Sequence, residues 1–348
     1  PGTVLLCKIN PRINRAWTVG AFSKHQKIAS TEWITFPPHP DVDPRYLAHY
    51  LSRRDIRDYL AANASGVGGS LMRVKPSTIE DLPLPLPNVD EQRRLVTEID
   101  QQFSRLDKAV SSLKRVNATL KRYKAAVLQF AVEGHLLREI TSDAARRCEW
   151  VWGTCGDVIE SIQAGASFKC LERPPVDGEV GVVKVSAVTW GEFNENESKT
   201  CLDPQRVKEA LFIKPGDFLF SRANTIELVG ACVIAKNVTK SLMLSDKILR
   251  FRLSSTLDPK WLLICLQSHF GRSEIERLAT GNQESMRNIG QERIQQIRLP
   301  LPSLTEQRQI VAEVERRLSF VREAEAEVNK NRKRAQALRQ AILVDAYG

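Results

Sequence analysis

Two stretches of the chain carry apolar residues at alternating spacings of three and four on an otherwise charged background. In the first, Leu95, Ile99, Leu106, Ala109, Leu113, Leu120 and Val127 recur at such spacings or their multiples; in the second, Ile310, Val314, Val321, Ala324, Val328, Ala335 and Ile342 do so. A stripe this narrow is the seam of a coiled coil, in contrast to the wide face of a helix lying on a globular core. Each stretch predicts a helix of about 45 residues, a rod of roughly 65 Å at about 1.5 Å per residue. Each seam needs a partner. We expect the two helices to pair with each other as an antiparallel coiled coil; two independent helices, or pairing with a different protein, are the alternatives.

The same punctuation precedes both helices. Residues 84–93 read LPLPNVDEQR and residues 299–308 read LPLPSLTEQR, 215 positions further on. The prolines favour extended chain. Asn88 with Glu91, like Ser303 with Glu306, then has the spacing of a helix N-terminal capping box, and Gly134 is a stop for the first helix. The same offset pairs VDPRYL at 42–47 with LDPKWL at 257–262, and at an offset of 214 Pro1-Gly2 matches Pro215-Gly216. A period this long exceeds a solenoid unit and fits a duplicated domain with its connector. The first copy opens at the equivalent of Pro215, whereas the globular part of the second begins near Trp150, roughly 65 residues earlier. Pro1 is therefore not expected to be the natural start.

Between the rods the pattern changes. Short β-rich runs at 181–185, 217–220 and 248–253 are punctuated by Gly, Pro, Asn and Asp, and helices are predicted at 259–268 and 290–296. This reads as an α+β domain of about 150 residues.

Composition narrows the class. With 348 residues, 26% charged, 42% apolar, no low-complexity tract and no apolar run long enough to span a bilayer, the chain reads as a soluble protein of two or three domains. No basic leader with an apolar core is present, so a cytoplasmic location is expected, with no membrane association. The seven cysteines are odd in number, scattered and without a C-x-x-C, and read as ordinary reduced thiols; the five histidines form no close pair, so no metal site is expected. A formal net charge of +10 favours a polyanionic partner, most often nucleic acid.

Several chemistries lack their motifs. There is no G-x-x-x-x-G-K-[ST] phosphate loop for ATP-driven translocation. Asn10-Pro11-Arg12-Ile13 lacks the second proline and the aromatic that amino-methyltransferases use around a flipped base, and no glycine-rich methyl-donor loop follows a strand. Pro40-Asp41 has no acidic-x-Lys companion of a nuclease. No catalytic residue is assigned and no cofactor is expected.

The two proline blocks running into Glu-Gln-Arg and a long helix resemble the type I restriction-modification specificity (S) subunit. Supporting matches are KPGDFLFSR at 214–222, the Leu-Asp-Pro helix start at 257 and the loop at 281–289 before the last short helix. The resemblance implies residues 1–87 as the C-terminal part of a first target-recognition domain, 88–140 as a first conserved helix, 145–302 as a second target-recognition domain and 303–348 as a second conserved helix. It implies an α+β fold in which two recognition domains, the first truncated, are joined by the paired helices and read the halves of a bipartite site on double-stranded DNA. It also implies docking of methyltransferase (M) and restriction (R) subunits, which would carry the methyl donor and ATP. This chain would be non-catalytic. Two other classes stay open: the recognition portion of a larger single-chain restriction-methylation enzyme, and a coiled-coil scaffold with no role on DNA.

A DNA reader places Arg, Lys, Asn, Gln or Ser on loops that reach phosphates and base edges. Ser221, Arg222 and Asn224 follow an apolar strand, and Lys8 and Asn10 hold the matching place in the first copy. The loop at 281–288, with Arg287 and Asn288, parallels 68–73, with Arg73. Lys169, after a Gly-Ala-Ser-Phe turn, and Lys184 with Ser186 complete the set of expected DNA contacts. Each competes with a plain reading as solvated turn or edge-strand protection. Trp150, Trp152, Trp190 and Trp261 read as core or packing residues rather than base-stacking platforms, and the basic run at 331–334 as a solvated helix face.

Overall fold

The computed structural model describes residues 1–22, 24–66, 72–141, 150–283 and 286–347. In chain order the elements are β1 (Val4–Cys7), β2 (Ala16–Thr18), β3 (Trp33–Phe36), α1 (Pro44–Leu51), α2 (Arg54–Ala62), α3 (Ser77–Glu80) and α4 (Val89–Val132). After α5 (His135–Thr141) come β4 (Val151–Thr154), α6 (Cys155–Val158), β5 (Ile159–Ala164), β6 (Cys170–Leu171), β7 (Val180–Val183), β8 (Ser198–Cys201), β9 (Phe218–Ser221) and β10 (Ala223–Asn224). The chain closes with β11 (Cys232–Ile234), β12 (Ser241–Met243), β13 (Ile248–Leu253), α7 (Pro259–Gln267), α8 (His269–Leu278), β14 (Thr280–Gln283), β15 (Met286–Asn288), α9 (Gln291–Gln295), β16 (Arg298–Leu301) and α10 (Leu304–Tyr347). These fall into two compact units: residues 1–118 with 325–348, and residues 119–324.

In the first unit, β2-β1-β3 form an antiparallel sheet. The period-2 alternation of a strand sends Val4 and Leu6 to one face, where they join Tyr46, Tyr50, Leu51, Ile56 and Leu60 of α1 and α2 in the core. Leu5, Trp17 and Thr35 point the other way, into an open trough lined also by Phe22 and Ile28. Onto the core lie Val96, Ile99 and Phe103 from the start of α4 and Leu343 and Tyr347 from the end of α10. Arg339 ties the two helices here, donating to Asp107 at 2.8 Å and lying 4.0 Å above the Phe103 ring.

The second unit is built on the same plan with more strands. Its antiparallel sheet runs β11-β9-β13-β5, and β9 pairs Phe220 with Cys232 and Leu249 as β1 pairs Leu6 with Ala16 and Ile34. One face, carrying Phe218, Phe220 and Phe251, packs on α7 and α8. Val127, Leu128 and Ala131 from the end of α4, and Ile310, Val311 and Val314 from the start of α10, join that core. The other face, with Leu219, Val233 and Ile248, is roofed by β12-β7-β8-β6 through Val183, Leu242 and Leu244. Start meets end in each unit, which is the antiparallel pairing of a coiled coil.

Every expected seam residue is at least half-buried, from Leu95 to Val127 and from Ile310 to Ile342, save Ala109, which is exposed while Val110 turns inward. The expectation of a narrow seam throughout needs correction at the ends. There each helix also lies on a globular core, so Val96, Phe103, Val311, Leu343 and Tyr347 widen the apolar face.

The glutamine bonds at the junctions repeat in both units. Asp43 caps α1 and Asp258 caps α7. The buried Gln92 accepts from the Asp43 N–H at 2.8 Å and donates to the Asp41 and Pro87 carbonyls at 2.8 and 2.7 Å. Gln307 likewise accepts from the Asp258 N–H at 2.8 Å and donates to the Thr256 and Pro302 carbonyls at 3.2 and 2.9 Å. Tyr46 donates to the Pro85 carbonyl, as the indole of Trp261 does to that of Pro300. Ser303 and Glu306 close both bonds of a capping box; Asn88 accepts from the Glu91 N–H. Gly134 ends the first helix with a φ of 79°, the left-handed region that favours glycine.

On α10, Arg316 and Arg317 both donate to Glu313, at 2.8 and 2.6 Å, and hold its carboxyl down to about 2. Arg317 reaches on to Glu139 of α5. A folded-state value below the ordinary 4.5 means that this carboxylate's contribution is complete above that pH and is lost as pH falls toward 2. The stability gap between the chain and Glu313→Gln is therefore expected to close over that window in denaturant titrations at stepped pH. A gap independent of pH would contradict the assignment.

Candidate nucleic-acid interface

Strand β9 ends in Ser221 and the chain steps sideways into β10, which pairs with β15 so that Ala223 faces Asn288 and Asn224 faces Arg287. β14 completes a small sheet of order β10-β15-β14. The step is fixed by the backbone: Arg222 N–H donates to the Lys247 carbonyl and Ile289 N–H to the Arg222 carbonyl, each at 2.9 Å. Arg222 Nε then donates to Asn288 Oδ1 at 3.3 Å. Arg287 Nη1 donates to the Gly281 carbonyl at 2.7 Å, and its Nε has no hydrogen-bond partner among the described residues. Gly281 has a φ of 130°, and a Cβ there would crowd the Met286 carbonyl, so this turn needs glycine. Three expected contacts, Asn224, Arg287 and Asn288, thus share one small sheet, and Arg222 stands at the step leading into it.

The first unit repeats the arrangement. Val74 N–H donates to the Lys8 carbonyl at 3.0 Å and Asn10 N–H to the Met72 carbonyl at 2.7 Å, which places Lys8, Asn10 and Arg73 together. Asn10 takes a left-handed conformation, φ 49°, which asparagine tolerates better than most residues. The Arg73 guanidinium forks onto Glu32 and holds that carboxyl below its usual range. Residues 67–71, which include the first four of the expected loop at 68–73, lie outside the described residues, as do 284, 285 and the side chain of Asn282.

The remaining expected contacts lie elsewhere. Ser221 is buried, its hydroxyl donating to the Ala223 carbonyl at 3.2 Å. Lys184 pairs with Glu172 at 3.5 Å and Ser186 donates to Glu197 at 2.6 Å, both beside the β7–β8 sheet. Lys169 is exposed at the end of the turn that begins at Gly165, where a Cβ would overlap the Leu244 carbonyl. Sequence reasoning passed over Lys247, an exposed cation whose carbonyl anchors Arg222; nothing in its local Ser-Asp-Lys-Ile pattern marks it.

Two tryptophans correct the reading of all four as packing residues. Trp261 is buried and Trp150 meets it edge-on at 5.8 Å, but Trp190 is 75% exposed and Trp152 47% exposed. Trp190 sits on the turn after a short 3-10 helix, and Trp152 lies on an outward strand face, stacked edgewise on Phe270 with Arg298 above it. Among the described residues no helix is long and apolar enough to cross a membrane, and no group of three or more His, Cys, Asp or Glu is placed to hold a metal ion.

A match to the type I restriction modification DNA specificity domain runs over residues 148–327. Among curated proteins, the chain is 30% identical over 168 residues to the type I restriction enzyme EcoEI specificity subunit of Escherichia coli, covering 48% of this chain and 28% of that subunit. It is 24% identical over 308 residues to the EcoKI specificity subunit of Escherichia coli strain K12, covering 87% of this chain and 64% of that one. The chain thus spans less than two thirds of either subunit's length. A chain solved in work on complex assembly and conformational transition of the type I R-M system superposes with a TM-score of 0.70 at 22% identity, covering 99% of this chain and 81% of that one, a likeness of fold. With the matched domain spanning just over half of the sequence, and the same junctions repeated in both units, the chain belongs to the type I restriction modification DNA specificity family.

Proposed function

We propose that this chain selects DNA sequence for a type I restriction-modification assembly. Residues 145–302 act as one target-recognition domain and residues 1–87 as the C-terminal part of another, with 88–140 and 303–348 as the conserved helices. The observation that carries the reading is the repeated placement of cations and asparagines: Asn224, Arg287 and Asn288 on one small sheet with Arg222 at its entry, and Lys8, Asn10 and Arg73 at the matching place. Arginine forks suit phosphate and guanine edges, and asparagine suits adenine. The chain supplies recognition without catalysis; methyl transfer and ATP hydrolysis belong to M and R subunits that dock on it. Double-stranded DNA is the substrate of recognition.

The test is co-purification with a type I methyltransferase subunit, followed by mapping of methylated bases on genomic DNA. A single modified motif that changes when Arg222 and Asn288 are both replaced by alanine is expected. Methylation that ignores those replacements, or a complex whose DNA retention does not weaken with salt, would overturn the reading.

A further inference from the structure

Six thiols lie among the described residues, and two stand opposite each other. Strands β6 and β8 pair antiparallel with Cys170 directly across from Cys201 and Leu171 across from Thr200. Directly opposed residues of an antiparallel pair put their side chains on the same face, with Cα atoms roughly 4.5–5.5 Å apart, inside the roughly 4.4–6.8 Å that a disulfide requires. A second observation agrees: both side chains pack on one apolar cluster, beside Val180, Phe168 and Phe212. Both are only partly buried, so a small reagent can reach them.

The other thiols differ in kind. Cys155, Cys232 and Cys265 are sealed in the core of the second unit, where burial pushes Cys155 and Cys232 up to about 12. Cys7 is buried in β1. None of these four buried thiols offers the access that exchange needs. At Cys170, burial and the neighbouring Cys201 raise the thiol while Lys199 opposes them, so exchange runs best under mildly alkaline conditions.

We propose that Cys170 and Cys201 form a reversible cross-strand disulfide, a redox modification site at the edge of the β12-β7-β8-β6 sheet. With a low-molecular-weight disulfide as oxidant, one thiolate attacks a reagent sulfur, forming a mixed disulfide and releasing one reagent thiolate. The second cysteine thiolate attacks the protein-bound sulfur, the Cys170–Cys201 bond forms and the second reagent thiolate leaves. The protein dithiol loses two electrons and two protons overall, and the reagent disulfide is reduced to two thiols. Because Lys169 directly precedes Cys170, the bond pins the end of the turn at 165–169 to β8. This inference stands apart from any role on DNA.

The experiment treats the full chain with excess oxidised glutathione at about pH 8.5, the ordinary thiol range, then quenches with acid and maps peptides by mass spectrometry. Expected is a linked pair of peptides containing Cys170 and Cys201, lighter by two hydrogens and released by dithiothreitol, with Cys155, Cys232 and Cys265 still free. In Cys170→Ser the link disappears and Cys201 accumulates as its glutathione adduct. Recovery of both cysteines of the unaltered chain as free thiols or as separate glutathione adducts would overturn the proposal, as would linkage of either to Cys148. The mapping of the unaltered chain needs no variant, so a folding defect in Cys170→Ser cannot obscure the result.

Discussion

Gln307→Ala is expected to destabilise the second unit by about 3–5 kcal/mol. The side chain is 2% exposed and satisfies three backbone groups: the Asp258 N–H and the carbonyls of Thr256 and Pro302. Alanine leaves all three without that partner, at about 1–3 kcal/mol for each group that water cannot reach, and opens a void at a buried position. Gln307→Glu keeps the shape but turns a carboxylate toward two carbonyls, so it is expected to be no better tolerated. The neighbouring Arg308 is exposed, and Arg308→Ala should stay within about 0.5 kcal/mol. Urea titration followed by tryptophan fluorescence separates these outcomes. If Gln307→Ala costs less than about 1 kcal/mol, the junction is not the restraint described above.

The second large effect concerns binding. If Arg222 and Arg287 meet DNA, replacing either by alanine should lower affinity by about 5- to 150-fold, the range for a lost arginine contact of roughly 1–3 kcal/mol. A phosphate contact would weaken all sequences alike and reduce the salt slope by about one; a base contact would instead relax preference at one position. Arg222→Lys distinguishes them, since lysine keeps the charge and loses the planar fork. Anisotropy titrations against the mapped target and a scrambled duplex, at stepped salt, supply both readouts. Unchanged affinity in both alanine variants would remove this sheet from the interface. Arg287 also holds the Gly281 carbonyl, so its variant should be checked by thermal melting first.

What could be read ahead of the structure was what is local. The capping residues Ser303 and Glu306, the stop at Gly134 and the 3.5-residue rhythm of the seam each act within a few residues, and each lies where the pattern put it save at Ala109. The duplication was visible because its two proline blocks differ so little. The purpose of the Gln in Glu-Gln-Arg was not visible, since its partners at 41 and 256 lie about fifty residues away and offer only backbone. The breadth of α4 and α10 at their ends was hidden for a similar reason: Phe103 and Tyr347 fall off the heptad and are buried by the globular cores. Strands β6 and β8 are too short to show a period, so the facing of Cys170 and Cys201 was lost among seven scattered cysteines. The joining of Arg222 to Asn288, 66 residues apart, depends on a strand step that no local pattern encodes.

The glutamine junctions grip only main-chain atoms, the N–H of residues 43 and 258 and the carbonyls of 41, 87, 256 and 302. Main chain is common to every sequence, so substitutions in the globular parts can accumulate without loosening the hold on the helix that follows. A diverged globular part joined at the proline block is therefore expected to meet the glutamine with the same main-chain partners. Variation in the globular surface is thereby decoupled, chemically, from the fastening beneath it.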